Sequence, residues 1–196
     1  MTSRADTLGV RCVDPGQRTE VAGLVAAAFH DLPQSVWLVP EPRDRPAVLA
    51  AVFELAVTHA VQHGWVPVVR DDDGLLVGAA VWVPSTAPDI DDHDTRLATA
   101  AGSSLPRWRA FELLQHAHHP LAAHHYLALL AVHPDRQRQG WGTRLLTWAA
   151  DELGPPAYLE AATPELVRTY RRFGFQESPP FRLPAGPPTW PMWRVI

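Results

Sequence analysis

The chain has 196 residues, 46% of them hydrophobic and 19% charged, the composition of a packed globular domain rather than a disordered segment. Its formal net charge of −4 and a pI near 6.2 argue against a nucleic-acid partner, which draws a basic surplus or stripe. A single cysteine excludes an intrachain disulfide framework, and no apolar run approaches the ~18 residues of a membrane span. No basic-then-apolar signal segment is present either, so the expectation is a cytoplasmic protein with no membrane partner.

Residues 1–8 are expected to form a flexible leader, and residues 9–196 one domain. Residues 8–13 read as a short strand and Asp14-Pro15-Gly16 as a turn into a helix. Val21, Leu24, Val25, Ala28 and Phe29 then recur at helical spacing. Residues 31–45 hold three prolines and Trp37 and read as a loop; a longer helix covers about 46–62, stopped by His63-Gly64. Residues 65–69 and 75–83 flank Asp71-Asp72-Asp73-Gly74 as a hairpin. Both of its strands are apolar on both faces, which places them inside a covered sheet.

Residues 84–95 are polar and acidic and read as a connector, and 97–116 as helical with a break at 102–106. An apolar strand at 126–132 precedes a helix from about 140 to 153, ended by Gly154-Pro155-Pro156. A strand at 157–160 leads to a helix at 163–172, with Thr163 as N-cap, Pro164 first and Glu165 in the first turn. The proline-rich remainder holds two short strand-like pieces. This order predicts a mixed α/β sheet with helices on both faces.

The junction after strand 126–132 carries the strongest chemical signal. The apolar run stops at Pro134; Asp135, Arg136, Gln137, Arg138 and Gln139 follow, then Gly140-Trp141-Gly142. Glycine admits positive φ and close approach to the main chain. The first turn of a helix offers unpaired N–H groups and partial positive charge, which favour an anion. Arg136, Arg138 and Arg144 add full charges, so a phosphate is the natural guest. A dinucleotide GxGxxG fails because position 145 is Leu, and no GxxxxGK[ST] occurs.

The pattern V-x-P-x-x-Q-x-x-G-x-G, from Val132 through Pro134, Gln137 and Gly140 to Gly142, resembles the acyl-coenzyme A binding segment of the GCN5-related N-acetyltransferase (GNAT) family. A second segment, YLEAATPELVRTYRRFGF from Tyr158 to Phe175, resembles that family's closing strand, Tyr-bearing helix and Gly-Phe. The AAAF of the first helix and the run from Leu183 to Trp190 with Met192 are similar to puromycin N-acetyltransferase-like members. The resemblance spans about residues 10–194.

It implies a GNAT fold, a central mixed and mostly antiparallel β-sheet of about 6–7 strands flanked by helices on both faces, with acetyl-CoA as acyl donor. Leu130, Ala131 and Val132 would pair pantetheine and hold the thioester carbonyl. Gln137, Arg138, Gln139, Gly140, Trp141, Gly142 and Thr143 would cradle the pyrophosphate, with Arg172 a further cofactor-binding residue. The loop departs from the family at Arg138, where a small residue is frequent, and at Trp141, where an aliphatic one is usual. An aliphatic amine has a pKa of roughly 10.4 and must lose a proton before it attacks. Tyr170 is the implied general acid for the leaving thiolate; its other reading is a ring packed on Phe173 and Phe175.

Two side chains are candidate bases. Five of the ten histidines lie between His116 and His125, and His124, entering the cofactor strand, is one candidate. Glu160, acting through a water, is the other, and ordered water alone is a third route. His116, His118 and His119 read equally well as a solvated helix end, and no metal is expected. Cys12 is expected as a packed thiol, with direct transfer in a ternary complex rather than an acyl-enzyme.

The acceptor pocket is expected from residues 32–42, the connector after Pro84 and the C-terminal segment, with Trp37, Trp82, Trp108, Trp190 and Trp193 in or near them; Trp37, Trp82 and Trp190, with Glu160, are candidates to bind an apolar or aromatic acceptor. Asp89, Asp91, Asp92 and Asp94 read as a solvated loop or as an attractor of a cationic amine. The expected function is acetyl transfer to a primary amine of a small molecule, such as an antibiotic or toxic amine, by a monomer or homodimer. The alternatives are a protein or peptide N-acetyltransferase and a non-catalytic CoA-binding regulatory module.

Overall fold

The computed structural model describes residues 8–195, so the leader expected at 1–8 lies outside the described residues except for Leu8. In chain order the elements are β1 (Val10–Cys12), α1 (Arg18–Phe29), α2 (Pro33–Leu38), α3 (Arg45–His63), β2 (Pro67–Arg70), β3 (Leu76–Pro84), α4 (His93–Ala101), α5 (Leu105–His118) and β4 (His125–Val132). There follow α6 (Trp141–Glu152), β5 (Ala157–Ala161), α7 (Pro164–Arg171), β6 (Gln176–Glu177), β7 (Phe181–Arg182) and β8 (Pro188–Arg194). The sheet runs β1-β2-β3-β4-β5-β8-β6, with β7 paired to β8 off this path. Every pairing is antiparallel except β4 with β5. This is the mixed, mostly antiparallel sheet expected, with helices on both faces.

Three segments differ from the sequence reading. The proline-rich C-terminal stretch gives three strands instead of two, and the longest of them, β8, seats itself between β5 and β6. Residues 31–45 contain α2, opened by a proline at its first turn and too short to show periodicity. The connector yields its last residues to α4, which starts from Asp92 in the left-handed region. The break at 102–106 is real but short: a 3-10 turn, Gly102–Ser104, separates α4 from α5.

β3 explains why the sheet needs cover on both sides. Ala79 and Val81 join Val21, Val25, Leu49 and Val57 of α1 and α3 in one apolar cluster. Ala80 and Trp82 join Leu145 and Leu146 of α6 and Val167 of α7 in the other. Alternation along the strand sends successive side chains to opposite faces, and each fully buried Leu or Val contributes about 1.5–3 kcal/mol. Gly64 is required by close approach: a Cβ there would lie 2.1 Å from the Trp82 carbonyl oxygen. The two N–H···O bonds that Trp65 and Trp82 exchange, each 2.9 Å, form beside it.

One irregularity shapes the functional end of the sheet. β4 pairs with β3 from His125 to Val132, and a bulge leaves Ala128 without a register partner. With β5, β4 pairs only through His125–Leu127. β5 instead runs on with β8, to Ala161 opposite Trp190. Past Leu127, therefore, the two parallel strands part, and the edge of β4 facing β5 has no strand partner.

Candidate active site

The parted edge exposes main-chain groups. The His133 N–H donates to the Val77 carbonyl at 2.8 Å, turning that residue toward β3. By the strict alternation of a strand, Leu130 and Val132 point their amide and carbonyl groups the other way, into the gap. The Ala131 backbone faces β3, opposite Ala79, so of the three strand residues expected to meet a donor only Leu130 and Val132 offer main-chain groups. The Gln137 amide nitrogen approaches the Val132 carbonyl at 3.4 Å and ties the loop back to the strand end.

Beyond β4 the chain makes one 3-10 turn, Pro134–Arg136, and then enters the left-handed region twice, at Arg138 (φ 62) and Gly140 (φ 88). Such alternation gathers successive N–H groups into an anion-binding concavity. Gly140 suits its position without steric cost, whereas Arg138 carries the strain of a side chain there. Gly140 is the N-cap of α6, with no capping side-chain bond and no acid in the first turn. The leading N–H groups of α6 are therefore left for a ligand. Arg136 is engaged by Asp71 at 3.4 Å. The Arg144 guanidinium lies 4.4 Å over the Trp141 ring, and the Trp141 indole N–H donates to Gln139 Oε1 at 3.3 Å. The aromatic residue at 141 thus serves as a platform for a cation. Unpaired main-chain donors, a glycine bend and the Arg138 and Arg144 guanidiniums fit a pyrophosphate.

On the other face of the sheet lies a cavity of ≈ 250 Å³. Phe29, Phe53, Trp108, Phe111 and Leu129 make much of its wall. Ala128 and Leu129, the first β4 residues past the paired stretch, also line it, so the cavity adjoins the gap. Glu160 closes the inner end; it follows Leu159, the last β5 residue paired with β4. Its Oε2 accepts from the Tyr126 phenol at 2.7 Å and from the Gln115 amide at 3.4 Å. Its Oε1 is buried with no hydrogen-bond partner. Burial pushes the Glu160 carboxyl up to about 7, against the hydrogen bonds that favour its ionised form. A carboxyl poised there exchanges a proton readily at neutral pH.

A family model described as an acetyltransferase (GNAT) domain matches residues 108–177, from α5 through the parted strand, the loop and α7. A solved structure from Corynebacterium glutamicum, of histone acetyltransferase HPA2 and related acetyltransferase, superposes with a TM-score of 0.75 and 26% identity, over 95% of this chain and 94% of that one. Residues 108–177 thus carry a GNAT acetyltransferase domain. The chain is an acyltransferase. Its fold is also that of the Drosophila melanogaster polyamine N-acetyltransferase that forms N-acetylagmatine, at a TM-score of 0.57 and 20% identity over 95% and 99% of the two chains. The same holds for arylalkylamine N-acetyltransferase 2 from Aedes aegypti, at 0.65 and 14% over 95% and 98%.

The other residues singled out from sequence are scattered. Tyr170 lies on α7, 6% exposed, among Leu130, Trp141 and the residues packed under α6. Its ring meets Phe175 edge-on at 6.0 Å, and burial pushes its phenol up, which keeps it protonated. Thr163 caps α7 as expected, accepting from the Leu166 N–H at 3.3 Å, and Arg172 is the helix's exposed C-cap residue. Thr143 is exposed in the first turn of α6. Cys12, expected as a packed thiol, is instead exposed on β1, three strands from β4, and partial desolvation of its thiol raises its pKa, the wrong direction for a nucleophile.

Four further expectations are corrected. His124 does not line the cavity: its Nδ1 donates to the Ala122 carbonyl at 2.7 Å, and its Nε2 lies 3.0 Å from His119 Nε2. Its ring packs on Tyr158 and Trp193, and burial lowers its pKa, so it is a structural histidine. Trp82 is 2% exposed in the cluster under α6. Trp190 pairs with Ala161, and strand alternation puts it on that same far face while its neighbour Thr189 lines the cavity. Trp37 braces the C-terminal segment instead, its indole N–H donating to the Pro184 carbonyl at 3.0 Å, with the Arg107 guanidinium 5.3 Å from its ring.

The sequence did not point to Tyr126, Gln115 or Phe111, whereas Trp108, one of the tryptophans placed near the acceptor pocket, does line the cavity. Among the described residues no three His, Cys, Asp or Glu side chains gather as a metal-ligand set, and no helix is long and apolar enough to cross a membrane.

Proposed function

We propose that the protein acetylates the primary amine of a small molecule whose body is apolar or aromatic, using acetyl-CoA as donor. The carrying observation is Glu160 Oε1, buried and unpartnered at the end of an aromatic cavity that opens on the parted strands. Acetyl-CoA supplies the acyl group and a thiolate leaving group. The loop from Gln137 to Thr143 and the free turn of α6 hold its pyrophosphate, and the Leu130 and Val132 main chain lies along the gap to receive its pantetheine arm. An ammonium entering the cavity gives its proton to Glu160, which frees the nitrogen lone pair. Nitrogen then bonds to the acyl carbon and the carbon–sulfur bond breaks; the Tyr170 phenol gives its proton to the departing thiolate and regains one from the second N–H of the adduct, leaving a neutral amide.

Electrostatics favour a cationic acceptor. Asp89, Asp92 and Asp94 line an outer depression that shares Ile90 and His93 with the cavity, and clustered negative charge raises the local concentration of cations. The cavity's ≈ 250 Å³ suits one ring and a short aminoalkyl arm better than a peptide. The deciding experiment is thiol release from acetyl-CoA with arylalkylamines, linear polyamines and lysine peptides. Arylalkylamines should give the highest kcat/KM, rising with pH through about 7 as Glu160 ionises. A clear preference for lysine peptides would replace the small-molecule reading.

A further inference from the structure

The two oxygens of Glu160 have different surroundings. Oε2 accepts from Tyr126 at 2.7 Å and from Gln115 at 3.4 Å, and the Gln115 amide itself lies 3.3 Å from the Tyr126 oxygen. Oε1 has neither donor nor water-exposed surface. Side chains from β4, α5 and β5 thus close a triangle about one oxygen of the pair. Tyr126 is wedged in turn by the His119 ring, edge-on at 4.9 Å, and by Tyr158 at 5.9 Å. A carboxylate held this way cannot rotate without giving up a charge-assisted hydrogen bond.

We propose that Tyr126 and Gln115 are positioning residues for amine acetylation: they occupy Glu160 Oε2 so that Oε1 alone receives the ammonium proton. This rests on Glu160 being the proton acceptor, as proposed above. The proton passes from the amine nitrogen to Oε1, and the nitrogen keeps the electron pair with which it attacks. Tyr126 retains its own proton, because burial beside Glu160 pushes its phenol far up. It acts only as a donor that stabilises the anion.

The groups facing Glu160 are Tyr126 from β4, Tyr158 from its own strand, and Gln115, His118 and Glu112 from α5. His93 stands across the cavity from α4, and His119 stands behind Tyr126. Tyr126 and Gln115, like Tyr158, favour the ionised carboxylate. Removing either makes Glu160 harder to ionise and moves the acid limb of the rate profile to higher pH. A residue that merely fills space would lower the rate equally at every pH.

The test is the pH dependence of kcat/KM for Tyr126→Phe and Gln115→Leu, alone and combined with Glu160→Gln. Tyr126→Phe should move the midpoint of the acid limb up by about one pH unit, a roughly tenfold loss near about pH 6 that nearly vanishes above about pH 9. Gln115→Leu should shift it the same way by less. In the Glu160→Gln background, adding Tyr126→Phe should change kcat/KM by less than about twofold, since the pair acts as a unit. A pH-independent loss, or the same loss with and without Glu160, would overturn the positioning role while leaving the base assignment standing. An acid limb that persists in Glu160→Gln would overturn the base assignment and this proposal together. If Tyr126→Phe fails to fold by thermal melting, Gln115→Leu decides alone.

Discussion

The two halves of the site are built from different materials. The donor half is mostly main chain: the open edge of β4, two left-handed residues and an uncapped helix start. It lies within one continuous stretch of about a dozen residues. The acceptor half is side chains from α1, α2, α3, α4, α5, β4, β5 and β8, brought together only by the fold. Main-chain recognition demands few residue identities beyond glycine, so it survives changes of substrate; a side-chain cavity is free to vary. One fold can therefore keep its donor while changing its acceptor.

Variants in each half should separate these roles. The largest effect belongs to Glu160→Gln, which should lower kcat/KM by about 10²–10³-fold and leave the calorimetric affinity for acetyl-CoA unchanged. A comparable loss of donor affinity would mean that the halves are not independent. Gly140→Val forces a β-branched residue to φ 88; at a strain of about 1–3 kcal/mol it should weaken donor binding about tenfold, with the acceptor KM unaffected. Phe111→Ala opens the cavity wall and should raise the KM of a ring-bearing amine by a few-fold, with the donor KM unmoved.

The smallest effect concerns stability. His119 is pushed down to about 4, first by burial and then by the neighbouring His124 and His116, and burial also lowers His124. Their folded-state pKa values lie below those of the unfolded chain, so the stability they contribute is full above about pH 6.5. It is lost as pH falls toward 4. Glu160 has the opposite sign: its raised pKa favours folding at low pH, and that contribution disappears as pH rises through about 7. The melting temperature should therefore pass a shallow maximum near neutrality, and His119→Phe should flatten the acid side. A melting temperature that still climbed on acidification to about pH 5 would show that the buried histidines carry no such penalty.

The same division decided how much could be seen in the sequence. The loop could be read because its chemistry needs glycine, Gln137 and arginines at fixed spacing in one stretch, and α7 because Thr163 and Pro164 announce its start. The strands of the hairpin were legible from their unbroken apolarity. The acceptor wall was not, because nothing in the composition of α5 tells which of Trp108, Phe111 and Gln115 will face β5. The tryptophans misled for a related reason. Strand parity sent Trp82 and Trp190 to the far face, and parity on β8 depends on a pairing partner more than 25 residues upstream. His124 misled because proximity in sequence to the cofactor strand says nothing about which carbonyl will claim its ring.

The seat of β8 between β5 and β6 has a consequence for assembly. Gln34, from the start of the chain, donates to the Pro188 carbonyl at 2.8 Å and to the Ala162 carbonyl at 3.0 Å, so the floor of the cavity is fastened across more than 150 residues of sequence. During synthesis the donor loop can form as soon as β4 and α6 have emerged. The cavity must wait until residues 188–194 leave the ribosome and slide in beside β5, the slow, long-range closure that loop entropy disfavours. Nascent chains should thus acquire a nucleotide-binding turn before they acquire anywhere to put an amine.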